Sequence, residues 1–412
     1  MPPAIKRKTT QKAVAVTTAP PAKTQEHPAT TIKIGETDYT LINANPVITS
    51  KLRAKYKRNI DCNEFIPKQK QQLIKDIIGP YAIKHLKERA KFYKLNYLTA
   101  RVNALMRFYI HDIDATVGSI FSKLKEAGIK IFLHGGCVRD LLMGVRSADI
   151  DIIFDKDIQS IKPLCEKYNW PCSVFMVKEQ YINFGANKGD GLEGSNLSKT
   201  FMTPLFQHEA SVNDLAYDLQ NDILIDVTGF GLEDIAKGQF RLGASPADWA
   251  KWAKTDAKRP FRYFKLIEKG FKPINKELHG FVINYIRDNW EKIYARPISA
   301  NYPISWIKQI LIKTITQGEI DEKTGEYKFG PTEYKLMPYL QIIKKNVGED
   351  IFMKIMANFT EADLKHFRAQ RIITSETRFI NYKKQLQLLH MKHNPATPYS
   401  VSKTKKGKFV AG

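Results

Sequence analysis

Residues 131–155 read IFLHGGCVRDLLMGVRSADIDIIFD. The apolar run Ile129–His134 predicts a buried strand, and a helix is expected over roughly 137–143. Between them stands Gly135-Gly136. Paired glycines let the backbone come close to a ligand, and a helix start adds N–H groups and a positive dipole end. The combination suits a phosphate. Arg139, one turn into the helix, is placed to add a charge-assisted bond to the same group. Taken alone, Gly-Gly before a helix is also what a tight turn looks like.

The second half of the run adds chemistry. Asp149-Ile150-Asp151 opens another apolar strand, expected over 149–154. Strand side chains alternate, so both carboxylates point one way and Ile150 the other. Two carboxylates beside a phosphate cradle form a hard oxygen site suited to Mg²⁺. Such a site supports two-metal phosphoryl or nucleotidyl transfer, one ion acting on an attacking hydroxyl and the other on a triphosphate. The plain alternative is a solvated acidic strand end.

The full string HGGCVRDLLMG followed by DIDI resembles the head of class II CCA-adding tRNA nucleotidyltransferases and bacterial-type poly(A) polymerases. Their pattern is GG-x-VRD-x-LLG and then DxD; here Met143 replaces a Leu. The resemblance implies a polymerase-β-like head with Asp149 and Asp151 as catalytic metal ligands. It also implies Gly135, Gly136 and Arg139 facing the triphosphate, and Asp140 ordering the loop. It continues through Asn213, Leu215 to Asp218, Leu224 to Asp226, Gly231, Asp234 and Arg241. In the family an Arg-Asp pair precedes this stretch and its acid meets the ribose; here the pair is His208-Glu209, so Glu209 takes that place. A third motif, EDxxRxxR, meets the base edge. Residues 255–262 match it with Asp256, Arg259 and Arg262, Thr255 replacing the Glu.

Two further departures stand out. Many relatives carry a third carboxylate on a hairpin strand after DxD. The alignment with Tyr181 to Phe184 puts Asn183 there, leaving Glu179 and Asp226 as other sources. The family's neck helix is replaced by Pro303 to Ile310. The resemblance spans about residues 129–275.

Outward from this stretch, 31–43 alternates around Gly35 to Asp38 and predicts a hairpin. Residues 51–58 (KLRAKYKR) are a short basic segment. Helical periodicity is expected within 66–95, clearest at 83–94, and a long helix over 100–127. A helix is expected over 157–168, strands near 173–177 and 181–184, a Gly/Asn/Ser-rich loop over 185–200, and mainly helix from about 255. The expected organisation is a basic leader (1–30), an N-terminal extension (31–127), the nucleotidyltransferase head (128–250), a helical neck and body that reads the base and binds RNA (251–390), and a basic tail (391–412). The fold class is α+β, a mixed sheet with helices followed by a mainly helical region.

Lys and Arg number 65 against 42 Asp and Glu, giving +23. That excess points to a polyanionic partner, here RNA. Residues 1–25 hold five cations and no acid, and eight cations with no acid follow Glu376. No apolar run approaches the roughly 20 residues of a membrane span. Cys62, Cys137, Cys165 and Cys172 form no CxxC pair, which fits buried thiols in a reducing, intracellular setting such as the cytoplasm. The expected activity is template-independent addition of nucleotides from NTPs to an RNA 3′ end, as a poly(A) polymerase or a CCA-adding enzyme. It implies two Mg²⁺ ions, with ATP and CTP as substrates. The competing readings are a degenerate RNA-binding or structural protein of the same fold, and a transferase acting on a small molecule or protein.

Overall fold

The computed structural model describes residues 30–82, 86, 89–145, 150–175, 181–184, 192–196, 210–242, 246–255, 257–274, 276–299, 302–316, 318–320, 327–328, 330, 333–358, 401–403 and 409–411. Its centre is an eleven-stranded sheet. The strands are β1 (Thr30–Ile34), β2 (Thr37–Asn43), β3 (Cys62–Phe65), β4 (Lys91–Leu95), β5 (Ile131–His134), β6 (Ile150–Phe154), β7 (Cys172–Phe175), β8 (Tyr181–Phe184), β9 (Leu192–Asn196), β10 (Leu215–Asp218) and β11 (Ile223–Asp226). Their order is β1-β2-β3-β4-β11-β10-β5-β6-β9-β8-β7. The β6–β9 pair is parallel and the other pairs of this sheet are antiparallel.

Helices lie on both faces. Besides the short helix Trp306–Ile310, they are, in chain order, α1 (Pro46–Tyr56), α2 (Lys70–Ile77), α3 (Asn96–Leu105), α4 (Val117–Glu126), α5 (Gly136–Leu142), α6 (Ile158–Lys167), α7 (Gly231–Lys237), α8 (Pro246–Thr255), α9 (Arg259–Glu268), α10 (Lys276–Asp288), α11 (Leu336–Val347) and α12 (Glu349–Met356). Their starts are locally encoded. Asn45 accepts from Val47 N at 2.9 Å, Thr116 from Ser119 N at 3.1 Å and Asp157 from Ser160 N at 2.9 Å. Each such cap is worth about 1 kcal/mol.

Alternation along the strands divides the core in two. Ile150, Ile152 and Phe154 join the larger core with α1, α3 to α7 and the C-terminal helices. Ile153, Phe132, Ile225 and Phe92 join the smaller one with Leu73, Ile74 and Ile77 of α2. The period of two therefore puts Asp151 on the α2 side of the sheet. The C-terminal helices meet through aromatic contacts, such as Trp249 against Tyr285 with ring centroids 5.6 Å apart. No helix of the described residues is long and apolar enough to cross a membrane.

Three expectations change. Residues 91–95 are a strand, not the end of a helix: β4 pairs with β3 on one side and β11 on the other. The helix over 100–127 is two helices, α3 and α4, separated by a small hairpin and the left-handed Asp114 (φ 54°). The stretch 185–200 is not all loop, because Leu192–Asn196 is β9. The 31–43 hairpin appears as β1–β2, and 51–58 is the end of α1 with the turn after it. The N-terminal stretch contributes β1 to β4 to the same sheet as the later strands. The leader, residues 1–29, lies outside the described residues. Most of the tail does too, save a hairpin of Val401–Lys403 with Phe409–Ala411.

Candidate active site

Gly135 joins β5 to α5 with φ +67° and ψ −137°, a conformation that glycine alone adopts readily. Its N–H donates to Leu215 O at 2.9 Å, which anchors the turn on β10. Among the described residues one atom comes within 4 Å of a Cβ built there: Asp151 Oδ2, at 3.8 Å. The glycine turn and the second acid of the DxD pair are thus brought together. Asp149 lies outside the described residues, as do Glu209, Asp256 and Glu179.

Arg139 and Asp140 are 5% and 4% exposed, so they act inside the molecule. The Arg139 guanidinium packs over Gly136, 3.2 Å from where a Cβ would be. Its Nε and Nη2 each lie 2.8 Å from Asp140 Oδ1, and Nη1 donates to Asn213 Oδ1. Lys269, just after α9, donates to both oxygens of Asp140 at 3.1 and 3.2 Å. Burial pushes the Lys269 ammonium pKa down and the Arg139 charge adds to this, while Asp140 pulls it back up. Gly135, Gly136, Arg139, Asp140, Asn213 and Asp151 therefore form one neighbourhood. Arg259 and Arg262 stand one turn apart in the first half of α9, whose far end reaches that neighbourhood through Lys269.

Asp234, Arg241, Gly231 and Asp226, among the downstream matches, hold the scaffold together. Asp234 is fully buried and takes a bidentate bond from Arg241, at 2.8 and 2.9 Å, and a hydroxyl bond from Ser211 at 2.6 Å. This fixes the 3₁₀ turn Ser211–Asn213 that presents Asn213 to Arg139. Gly231 is needed for close packing, since a Cβ there would stand 2.6 Å from Ser211 O. Asp226 accepts from Leu232 N at 3.0 Å and Thr228 Oγ1 at 3.2 Å, capping α7. Burial raises its pKa to about 6. It alternates with Ile225 and sits with Leu224 on the larger-core side, the face opposite Asp151. It is thus no source of a third carboxylate for that site.

The strand register identifies another residue. Asn183 pairs with Glu193, and Glu193 pairs with Asp151 across the parallel β6–β9 ladder. Cross-strand partners occupy one row of a sheet. Glu193 escaped the sequence reading because its surroundings, Gly191 to Ser195, read as loop. Lys269 escaped it because one lysine in a basic helix end carries no distinguishing spacing. Among the described residues no cluster of three metal-ligating side chains occurs.

A CCA-adding enzyme of Ligilactobacillus salivarius (strain UCC118) is 24% identical over 292 residues, covering 64% of this chain and 67% of that protein. The chain is thus similar to a CCA-adding enzyme over about two thirds of its length. Among solved structures, a tRNA-processing enzyme in an apo form matches with TM-score 0.41 at 15% identity, over 64% of each chain. The Thermotoga maritima CCA-adding enzyme complexed with tRNA matches with TM-score 0.39 at 16% identity, over 74% of this chain and 76% of that one. No family model matches. The chain spans about two thirds of the length of the first of these relatives.

Proposed function

We propose that the chain is a template-independent RNA nucleotidyltransferase that adds nucleotides from NTPs to an RNA 3′ end, with tRNA CCA addition as the favoured form. The observation that carries this is the Gly135 turn opening onto the Asp151 carboxylate. A backbone without side chain and a carboxylate beside it are what a metal-bound triphosphate needs. The similarity to a CCA-adding enzyme supports tRNA over other RNA ends, and the +23 charge supports a polyanionic substrate.

In this reading Asp149 and Asp151 hold Mg²⁺, and Glu193, the backbone register partner of Asp151, supplies a third carboxylate. Their donor set is all carboxylate oxygen, which fits that ion. When bound, the metal ions supply Lewis-acid help to the attacking hydroxyl and charge neutralisation to the departing pyrophosphate. The chain does the rest. Gly135 and Gly136 let the triphosphate approach the backbone. Arg139 is held by Asp140 and Asn213, so the helix beneath the cradle is set before substrate arrives. Glu209 meets the ribose; Asp256, Arg259 and Arg262 meet the base edge with an acceptor and forked donors.

The test is incorporation of each labelled NTP, with Mg²⁺, onto a tRNA lacking its CCA end and onto an unstructured RNA. CTP-then-ATP addition that stops on the tRNA is expected. Asp151→Asn is expected to abolish it, and Glu193→Gln to reduce it at least tenfold, both with unchanged unfolding midpoints. ATP-only tails would redirect the reading to poly(A) synthesis. No incorporation at all would sink it in favour of a degenerate RNA-binding protein.

A further inference from the structure

Asp140 is a nearly buried carboxylate shared by two cations from different parts of the fold. Arg139 belongs to α5, the helix of the glycine turn. Lys269 follows α9, the helix that carries Arg259 and Arg262. α9 is packed on two sides: the Tyr339 hydroxyl donates to Phe261 O and Tyr263 Oη lies 2.8 Å from His279 Nδ1, while the Tyr263 ring meets Phe240 of the head with centroids 5.1 Å apart. Lys269 adds a polar tie, from the end of α9 directly to α5, with paired bonds at 3.1 and 3.2 Å. Its side chain is 27% exposed, so the link is shielded from most of the solvent that weakens surface pairs.

The geometry gives this link leverage. With a rise of about 1.5 Å per residue, Arg262 lies roughly 10 Å and Arg259 roughly 15 Å up the helix from Lys269. A tilt of about 5° at the Lys269 end moves Arg259 by about 1 Å. A misplacement of that size costs on the order of 100-fold when it falls on a group that must meet its substrate.

We propose that Lys269 is a positioning residue that, through Asp140, sets the distance between the triphosphate cradle and the arginines of α9, and so sets discrimination among NTPs. This rests on the nucleotidyltransferase reading above. Lys269 does not touch the nucleotide. Its ion pair with Asp140 is the direct tie between α5 under the phosphate site and α9 of the base site, so a nucleotide held by its triphosphate presents its base at one fixed place. Without the pair, the triphosphate still binds but the base edge meets arginines shifted by a small tilt of α9.

The experiment compares the full-length wild type with Lys269→Gln and Lys269→Arg. It reads kcat/KM for each of the four NTPs on one RNA, with RNA affinity and unfolding midpoint in parallel. In Lys269→Gln the ratio of preferred to disfavoured nucleotides is expected to shrink about tenfold, with RNA affinity unchanged. Lys269→Arg, which keeps the charge, is expected to restore most of the ratio. A folded Lys269→Gln with the wild-type ratio, or with the same loss for every NTP, would overturn the proposal. Should Lys269→Gln not fold, Asp140→Glu, which shifts the carboxylate by one methylene, is expected to shrink the ratio too, and an unchanged ratio there overturns it equally. A wild type that incorporates nothing would overturn the underlying activity, a result distinguishable because no substitution is involved.

Discussion

Replacing Gly135 by Ala separates strain from chemistry. The residue sits at φ +67° and ψ −137°, where an L side chain costs about 1–3 kcal/mol. Among the described residues the added methyl meets no atom within 4 Å except Asp151 Oδ2, so no clash with them adds to that figure. The stability loss should therefore be about 2 kcal/mol. Gly128 supplies the control: it too has positive φ, at +73°, with nothing within 4 Å of a built Cβ, and it lies at the far end of β5. Gly128→Ala should cost about 1–2 kcal/mol, the usual penalty of a left-handed L residue, and leave turnover alone. In Gly135→Ala the methyl stands in the gap between the glycine backbone and the carboxylate. A displacement of the triphosphate by about 1 Å should lower kcat/KM for NTPs by roughly 100-fold, about 2.7 kcal/mol of transition-state stabilisation. Urea unfolding measures the first quantity and single-nucleotide incorporation with Mg²⁺ the second. Gly135→Ala enzyme with wild-type kcat/KM would refute the placement of the triphosphate at this turn.

Two further outcomes follow from the buried acids. Arg241→Met strands the fully buried Asp234 carboxylate and should cost about 3 kcal/mol in urea unfolding, since one partner of a buried pair is removed; a cost below 1 kcal/mol would mean that the pair does not hold the Ser211–Asn213 turn. Asp226, with its pKa raised by burial to about 6, keeps its proton in the folded chain at pH values where the unfolded chain, near 4, has lost it. Its contribution to stability is thus fully present below about pH 4 and is lost as pH rises through about 6, by up to about 1.4 kcal/mol per unit. Asp226→Asn lacks this term, so the stability difference between wild type and variant should change across pH 4–6.5; a constant difference would show that the carboxyl does not titrate there.

The site was legible where local pattern and tertiary structure agree. In 131–155 the apolar runs, the glycines and the alternation around Ile150 all point to strand, turn, helix and strand, and the chain folds so. Elsewhere distant partners decide. Lys91–Leu95 carries charges at helical spacing, yet its backbone is claimed by β3 and by β11. Leu192–Asn196 contains Gly194 and Ser195, poor strand formers, but lies between β6 and β8 with its hydrogen bonds supplied from both sides. The same stretch carries Glu193, and the opposite-face placement of Asp226 is visible only from the register. The gap between α3 and α4 reflects packing: at Gly118 any Cβ would come within 2.8 Å of Met106 O.

The joining of β4 to β11 also bears on how the chain is made. Tyr93 pairs with Leu224, about 130 residues later. A ribosome extending the chain at about 5–20 residues per second leaves the β4 edge without its neighbour for roughly 6–26 seconds. During that interval the edge KFYKL is open to any strand in reach, the situation that leads to aggregation. Lys91 and Lys94 flank its aromatic pair, and lysines on an open edge discourage such pairing. Lys91 and Lys94 thus suit an edge that waits for its partner, independently of any contact with RNA.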